Sequence, residues 1–306
     1  VRRAQSGLAV VVAMLAIAIA TTTAIALVDA QLLRARAYEN AAARAQADAI
    51  GRAAAQWAAA VLDEDERAVD HLGEPWAHRL PPLPAERATL QGTLADEQAR
   101  FNLNNLVRDG VASPRDVLIF QRLLQALALP PALADALVDW MDADAEPGGT
   151  AGAEDAFYQA LEPPYRPANR RLAELGELAR VRGFGPATVA ALAPYVTALP
   201  AESRVNVNTA PAAVLRAVVP SLGAEEAQRI LETRAARPYR TREDFLRDLA
   251  EPPAAAVDSD LDVRSRWFSA AATIRLDRTV VRYRALLDRP ERGGFPMVVA
   301  VVPEAF

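Results

Sequence analysis

Four carboxylates flank a glycine-rich stretch: Asp142 and Asp144 stand before Glu146-Pro-Gly-Gly-Thr-Ala-Gly, and Glu154 and Asp155 follow it. Hard cations such as calcium take several oxygen ligands at once, and alternating carboxylates on a flexible loop supply them while backbone carbonyls complete the shell. A solvated acidic loop has the same composition, and the Asp-x-Asp pair lacks the full EF-hand pattern, so spacing alone leaves both readings open. The two histidines, His71 and His78, lie in one loop beside Trp76 with no third convergent ligand, which favours a structural or surface role over a zinc site. Trp57, Trp76, Trp140 and Trp267 read as core or interface anchors.

Two segments have the look of helix-hairpin-helix units: Val181-Arg-Gly-Phe-Gly-Pro-Ala-Thr, and Val205-Asn-Val-Asn-Thr-Ala with the later Leu222-Gly-Ala-Glu-Glu-Ala. In DNA-binding versions, hairpin amides at helix N-termini meet phosphates. Here Glu225 and Glu226 follow the hairpin glycine, and residues 201–248 hold eight arginines against seven acidic residues. Phosphate would meet that balance unfavourably. The whole chain of 306 residues has a net charge of −5, which also argues against a nucleic-acid partner. No Gly-x-Ser-x-Gly, phosphate loop, His-Glu-x-x-His or dinucleotide fingerprint occurs, so the expectation is a non-enzyme. Cysteine is absent, which removes disulfide and thiol chemistry. All 34 basic residues are arginine, a bias of composition rather than chemistry.

The elements that must carry these groups begin with a membrane span. Arg2 and Arg3 precede Gly7, and Leu8 to Val28 runs without a charge, long enough to cross about 30 Å of hydrocarbon. With the arginines on the short side, the amino end is expected in the cytoplasm and everything after Asp29 outside. A cleaved secretory signal fits less well, because the apolar run continues into helix formers as far as Leu62, Gly51 being the one poor residue. A single helix over residues 8–62 would be about 80 Å long and project as a stalk.

After an acidic and proline-rich connection ending at Pro81-Pro-Leu-Pro, strands are expected at Thr89 to Ala95 and Phe101 to Leu103, paired as a hairpin. Three more are expected at Trp267 to Leu276, Thr279 to Leu287 and Pro296 to Val302. Between about Asn105 and Arg264 the pattern is helical, with starts at Ser113-Pro114, Pro131, Pro186, Pro211, Ala224 and Thr241, the last with Asp244 as a capping-box partner. The expected fold class is α+β: a long N-terminal transmembrane helix under an antiparallel sheet, with a large all-helical insertion containing helix-hairpin-helix or SAM-like units. The expected units are 1–7 leader, 8–62 transmembrane and stalk helix, 63–104 first part of the α/β domain, 105–264 helical insertion, and 265–306 last strands and tail.

The leader and span resemble those of type IV pilin-like proteins. The resemblance implies prepilin-peptidase cleavage between Gly7 and Leu8, with N-methylation of Leu8. It also places Val12 where that family normally has a glutamate at the fifth mature position. An unpaired glutamate in a bilayer costs several kcal/mol, and in these filaments it is thought to pair with a neighbour's amine, so a valine suits a filament end. Asp70-His-Leu-Gly-Glu-Pro-Trp-Ala, Arg100-Phe-Asn-Leu-Asn-Asn-Leu-Val, Asp139-Trp-Met-Asp-Ala-Asp, Gly152-Ala-Glu-Asp, Pro164-Tyr-Arg-Pro-Ala-Asn-Arg and Val205-Asn-Val-Asn-Thr-Ala resemble, in order, signatures of the pseudopilin K family of type II secretion systems. This resemblance implies a tip subunit in the inner membrane with its globular part in the periplasm, and structural calcium at Asp142, Asp144, Glu154 and Asp155. Implied partners are minor pseudopilins I and J, with H as a further neighbour, the inner-membrane assembly platform, prepilin peptidase, and at the far end secreted substrate and secretin. The alternatives are a membrane-tethered, competence-type helix-hairpin-helix DNA-binding protein and a tip minor pilin of a type IV pilus.

Overall fold

A computed structural model describes residues 2–85, 88–251, 260–276, 279–291 and 293–303. One helix, α1, spans Arg2–Asp63. Its apolar portion is exposed along its length from Leu8 and is long and apolar enough to cross a membrane. Thr22 and Thr23 satisfy their hydroxyls internally, donating to the carbonyls of Ala18 and Ile19. From Ala47 onward the helix changes role. Ala47, Ala55, Ala58, Ala59 and Leu62 recur at helical spacing and are buried against a sheet.

That sheet has five antiparallel strands in the spatial order β1-β2-β3-β4-β5: β1 Leu83–Ala85, β2 Ala88–Asp96, β3 Trp267–Leu276, β4 Thr279–Asp288 and β5 Met297–Pro303. The carboxyl-terminal strands fall where alternation placed them. Ala270, Ala272, Ile274, Tyr283, Ala285 and Leu287 form the face beneath α1, and the alanines on both sides let helix and sheet approach closely. Trp76 closes the lower end, its ring edge-on to Phe268 at 5.2 Å.

The expected hairpin does not form. β2 pairs with β3, more than 170 positions away in the chain, in the register Leu90 to Ile274 and Leu94 to Ala270. Asp96 then ends the strand by accepting a hydrogen bond from the Gln98 amide, turning the chain into a short 3-10 segment, Glu97–Ala99. Phe101–Asn102 consequently pairs in parallel with Val196–Thr197 and belongs to the helical part.

Among the described residues, seven α-helices lie between β2 and β3: α2 Pro114–Ala126, α3 Leu133–Met141, α4 Asp155–Tyr158, α5 Pro186–Leu192, α6 Ala212–Val218, α7 Ala224–Ala236 and α8 Arg242–Asp248. The capping box at Thr241 and Asp244 is present. One apolar cluster runs through them from Phe101 to Val263. Buried asparagines hold its loops: Asn104 donates to the carbonyls of Leu172 and Leu199 and accepts from the Leu172 amide. The helical part meets the sheet through a buried polar knot. The Asp96 carboxylate accepts from Thr209, Ser265 and Asn206, while Asp70 pairs with Arg289 and accepts from the Ser265 amide.

Candidate metal centre

Helix α3 supplies the rigid side of the acidic loop. Its buried face includes Leu133, Leu137, Trp140 and Met141, and the ring of Trp140 packs edge-on to Tyr158 of α4 at 5.2 Å. The two ends of the loop are therefore fixed by one aromatic contact. The glycines turn the chain back between them. Gly149 has φ +57°, and a side chain there would run into the carboxylate of Asp135; one at Gly152 would meet the Gly148 carbonyl and Asp139.

Two aspartates one helical turn apart hold the loop by its backbone. Asp135 accepts from the Thr150 amide at 2.9 Å and Asp139 from the Gly148 amide at 3.1 Å. Arg182 adds a clamp, donating to the Gly152 carbonyl at 3.0 Å while stacking over Phe157. With the loop so held, Asp142, Asp144 and Glu154 converge, each offering a carboxylate oxygen within 4.8 Å of the others. Asp155 is not part of this group. It opens α4, accepts from the Gln159 side chain and faces Arg166 at 3.8 Å.

The cluster concentrates negative charge in a partly buried place. Burial first, then repulsion from Asp144 and Asp139, pushes the Asp142 carboxyl up to about 6. Glu154 is pushed up to about 7, again by burial first and then by Asp139, Asp142 and Asp144. Asp142 Oδ1 and Glu154 Oε1 are buried and have no hydrogen-bond partner. No ion pair joins Asp142, Asp144 or Glu154 to an arginine among the described residues. Uncompensated buried carboxylates of this kind are costly, and a divalent cation with its oxygen preference is the natural counter-charge.

The sequence reading placed Asp139 and Arg182 within motifs but gave neither of them, nor Asp135, a part in the site. A signal existed for the aspartates: they sit four apart on an otherwise apolar helix, and Asp139 falls on its buried face. Gly7, Leu8 and Val12 lie within α1, with Leu8 and Val12 exposed on its apolar surface. Of the hairpin glycines, Gly185 and Gly223 precede α5 and α7 and face open space, and Glu225 and Glu226 occupy the first turn of α7. Negative side chains there oppose phosphate at the helix end.

A membrane-length apolar helix whose carboxyl-terminal part lies under an antiparallel sheet defines a pilin-like protein. Two family models described as type II secretion system protein K match residues 99–201 and 205–268. The chain belongs to this family, a structural component of type II secretion and one of its minor pseudopilins. The chain is 33% identical to a type II secretion system protein K of Pseudomonas aeruginosa over 95% of this chain and 90% of that protein. Its counterpart in Klebsiella pneumoniae is also 33% identical, with 94% of each covered. The crystal structure of the GspK-GspI-GspJ complex from enterotoxigenic Escherichia coli contains a chain with a TM-score of 0.75 and 25% identity, covering 89% of this chain and all of that one.

Proposed function

We propose that this subunit caps the tip of the type II secretion pseudopilus and supports the start of its assembly. The observation that carries the reading is the placement of the helical part between β2 and β3. That part is joined to the sheet through Asn206, Asp96 and Asp70, and in the tip role it would obstruct the addition of a further subunit. The exposed apolar half of α1, with small side chains from Ala16 to Ala26, offers close packing to the helices of neighbouring subunits. Those neighbours are pseudopilins I and J, as the GspK-GspI-GspJ complex of the structural relative supports. The role is assembly and not turnover, and the orientation is amino end in the cytoplasm with the globular part in the periplasm.

Processing between Gly7 and Leu8, followed by N-methylation of Leu8, is part of the same reading. Intact mass and N-terminal sequencing of the chain from host membranes test it: a methylated Leu8 terminus is expected, and retained Arg2 and Arg3 would overturn it.

Calcium is proposed at Asp142, Asp144 and Glu154, with Asp155 outside the converging set. Asp135, Asp139 and Arg182 hold the loop in place for it. The ion would neutralise the three carboxylates and tie the end of α3 to the start of α4, stabilising the helical part.

A further inference from the structure

Between the apolar span and the part of α1 that carries the sheet lies a stretch of helix that the rest of the chain leaves bare. The sheet reaches α1 only at Ala43 and beyond. Leu32 and Leu33 are 53% and 66% exposed, and the exposed Arg34 and Arg36 follow directly. Among the described residues neither arginine makes an ion pair or a hydrogen bond. One helical turn away on either side, Arg34 has Ala30, Gln31, Ala37 and Tyr38 as neighbours, none of them acidic. Arg36 has Glu39 within reach by spacing, yet the two are not paired.

Helix geometry gives these arginines a height above the bilayer. With Leu8 at one boundary of the hydrocarbon, the other boundary falls about twenty residues further on, near Val28. Arg34 and Arg36 are then about 9 and 12 Å beyond it along the axis, and the headgroup layer fills about 5–8 Å of that distance. Side chains on a helix lean toward its amino end, which here means back toward the membrane. The long arginine stem closes the remaining gap, and for Arg36 the exposed Leu32 and Leu33 provide an apolar track for it. Asp29 is the one acidic residue between the span and the arginines, and helical rotation turns it about 140° away from Arg34.

We propose that Arg34 and Arg36 bind lipid phosphates at the membrane surface on the carboxyl-terminal side of the span, prefer lipids of net negative charge, and so fix the height at which the stalk emerges. The guanidinium fork matches a phosphate with two parallel hydrogen bonds, and the span itself brings phosphates to that level. The inference rests on α1 crossing a bilayer and is independent of tip placement and of the acidic loop.

The test uses the full chain alone in nanodiscs of mixed phosphatidylcholine and phosphatidylglycerol. Because the chain has no cysteine, Gln31→Cys provides a single attachment point for a fluorophore. Quenching is read from lipids that carry a nitroxide high on the acyl chain and one or the other headgroup. Phosphatidylglycerol is expected to quench about threefold more effectively at low salt, and the excess should shrink at high salt. Arg34→Gln combined with Arg36→Gln should remove the excess. Arg44→Gln should leave it intact, because residue 44 stands about 24 Å beyond the hydrocarbon boundary. Far-UV circular dichroism should be unchanged in every variant. Equal quenching by the two lipids, or an excess that survives loss of both arginines, overturns the proposal. An excess lost equally in Arg44→Gln also overturns it, because diffuse charge is then responsible. A chain that does not enter the nanodiscs overturns the membrane reading of α1 together with it.

Discussion

Gly51 of the stalk helix lies against the ring of Tyr283: a Cβ placed on Gly51 would sit 2.8 Å from Cγ of that ring. The ring cannot easily withdraw, because its hydroxyl donates to Asp48 one turn earlier on the same helix. Helix propensity alone favours Gly51→Ala by about 1 kcal/mol. Overpacking costs about 1–3 kcal/mol, and here it wins. Gly51→Ala is expected to lower stability by about 1–2 kcal/mol, whereas the same change in a Tyr283→Ala background should raise it. Thermal unfolding of the full chain in detergent reads both signs.

The carboxylates of the acidic loop make a pH prediction whose sign is fixed by the direction of their shifts. Asp142 at about 6 and Glu154 at about 7 hold protons more tightly folded than unfolded. Without metal, stability is therefore undiminished below the ordinary carboxylate values near 4, falls as pH rises from there through about 6 to 7, and levels off above. Asp70, pushed by burial up to about 7, acts in the same direction. Asp142→Asn and Glu154→Gln should each flatten part of the fall in melting temperature between pH 5 and 8. Calcium at millimolar concentration should raise the melting temperature of the parent chain, and more at pH 8 than at pH 5, because it competes with protons. In either variant most of that rise should vanish. A parent chain whose melting temperature ignores calcium at pH 8 would remove the metal from the account.

Asn206 joins the helical part to the sheet by donating to the Asp96 carboxylate, the Asp70 carbonyl and the Ser265 hydroxyl. Every one of these partners is buried, so Asn206→Ala strands acceptors away from water. The expected cost is about 2–4 kcal/mol, read by denaturant unfolding. Asn104→Ala should cost about as much for the same reason, since that amide closes three backbone hydrogen bonds between distant loops.

The regular elements were legible where local chemistry decides them. Periodicity gave α1 and the strands at Trp267 and Thr279, and caps gave the starts of α2 and α8. The pairing of β2 was not legible. Thr89 to Ala95 and Phe101 to Leu103 are close in sequence, but Asp96 turns the chain between them, and β2 takes its partner from beyond the helical part. Strand alternation carries no information about which distant strand will be the neighbour. The acidic loop shows the same division. Acidic side chains around glycines marked the region, whereas the choice of Glu154 over Asp155 depends on where α4 begins, a tertiary outcome set by Trp140 against Tyr158.

Val12 is exposed on the apolar face of α1, where a glutamate would carry an unpaired charge into the bilayer unless a neighbour's amine met it. Val12→Glu is expected to leave the folded head unchanged and to reduce secretion, by allowing the subunit to enter the shaft or stall in the membrane. Secretion assays together with crosslinking to pseudopilins I and J check this. Unchanged secretion and unchanged crosslinks would show that residue 12 does not set the position.

Tip placement is tested most directly by locating the subunit on isolated pseudopili. Filaments sheared from secreting cells would be labelled with gold through an epitope on the exposed surface of α7 and viewed by electron microscopy. The account predicts label at one end of each filament and none along the shaft. Label distributed along the shaft would contradict it.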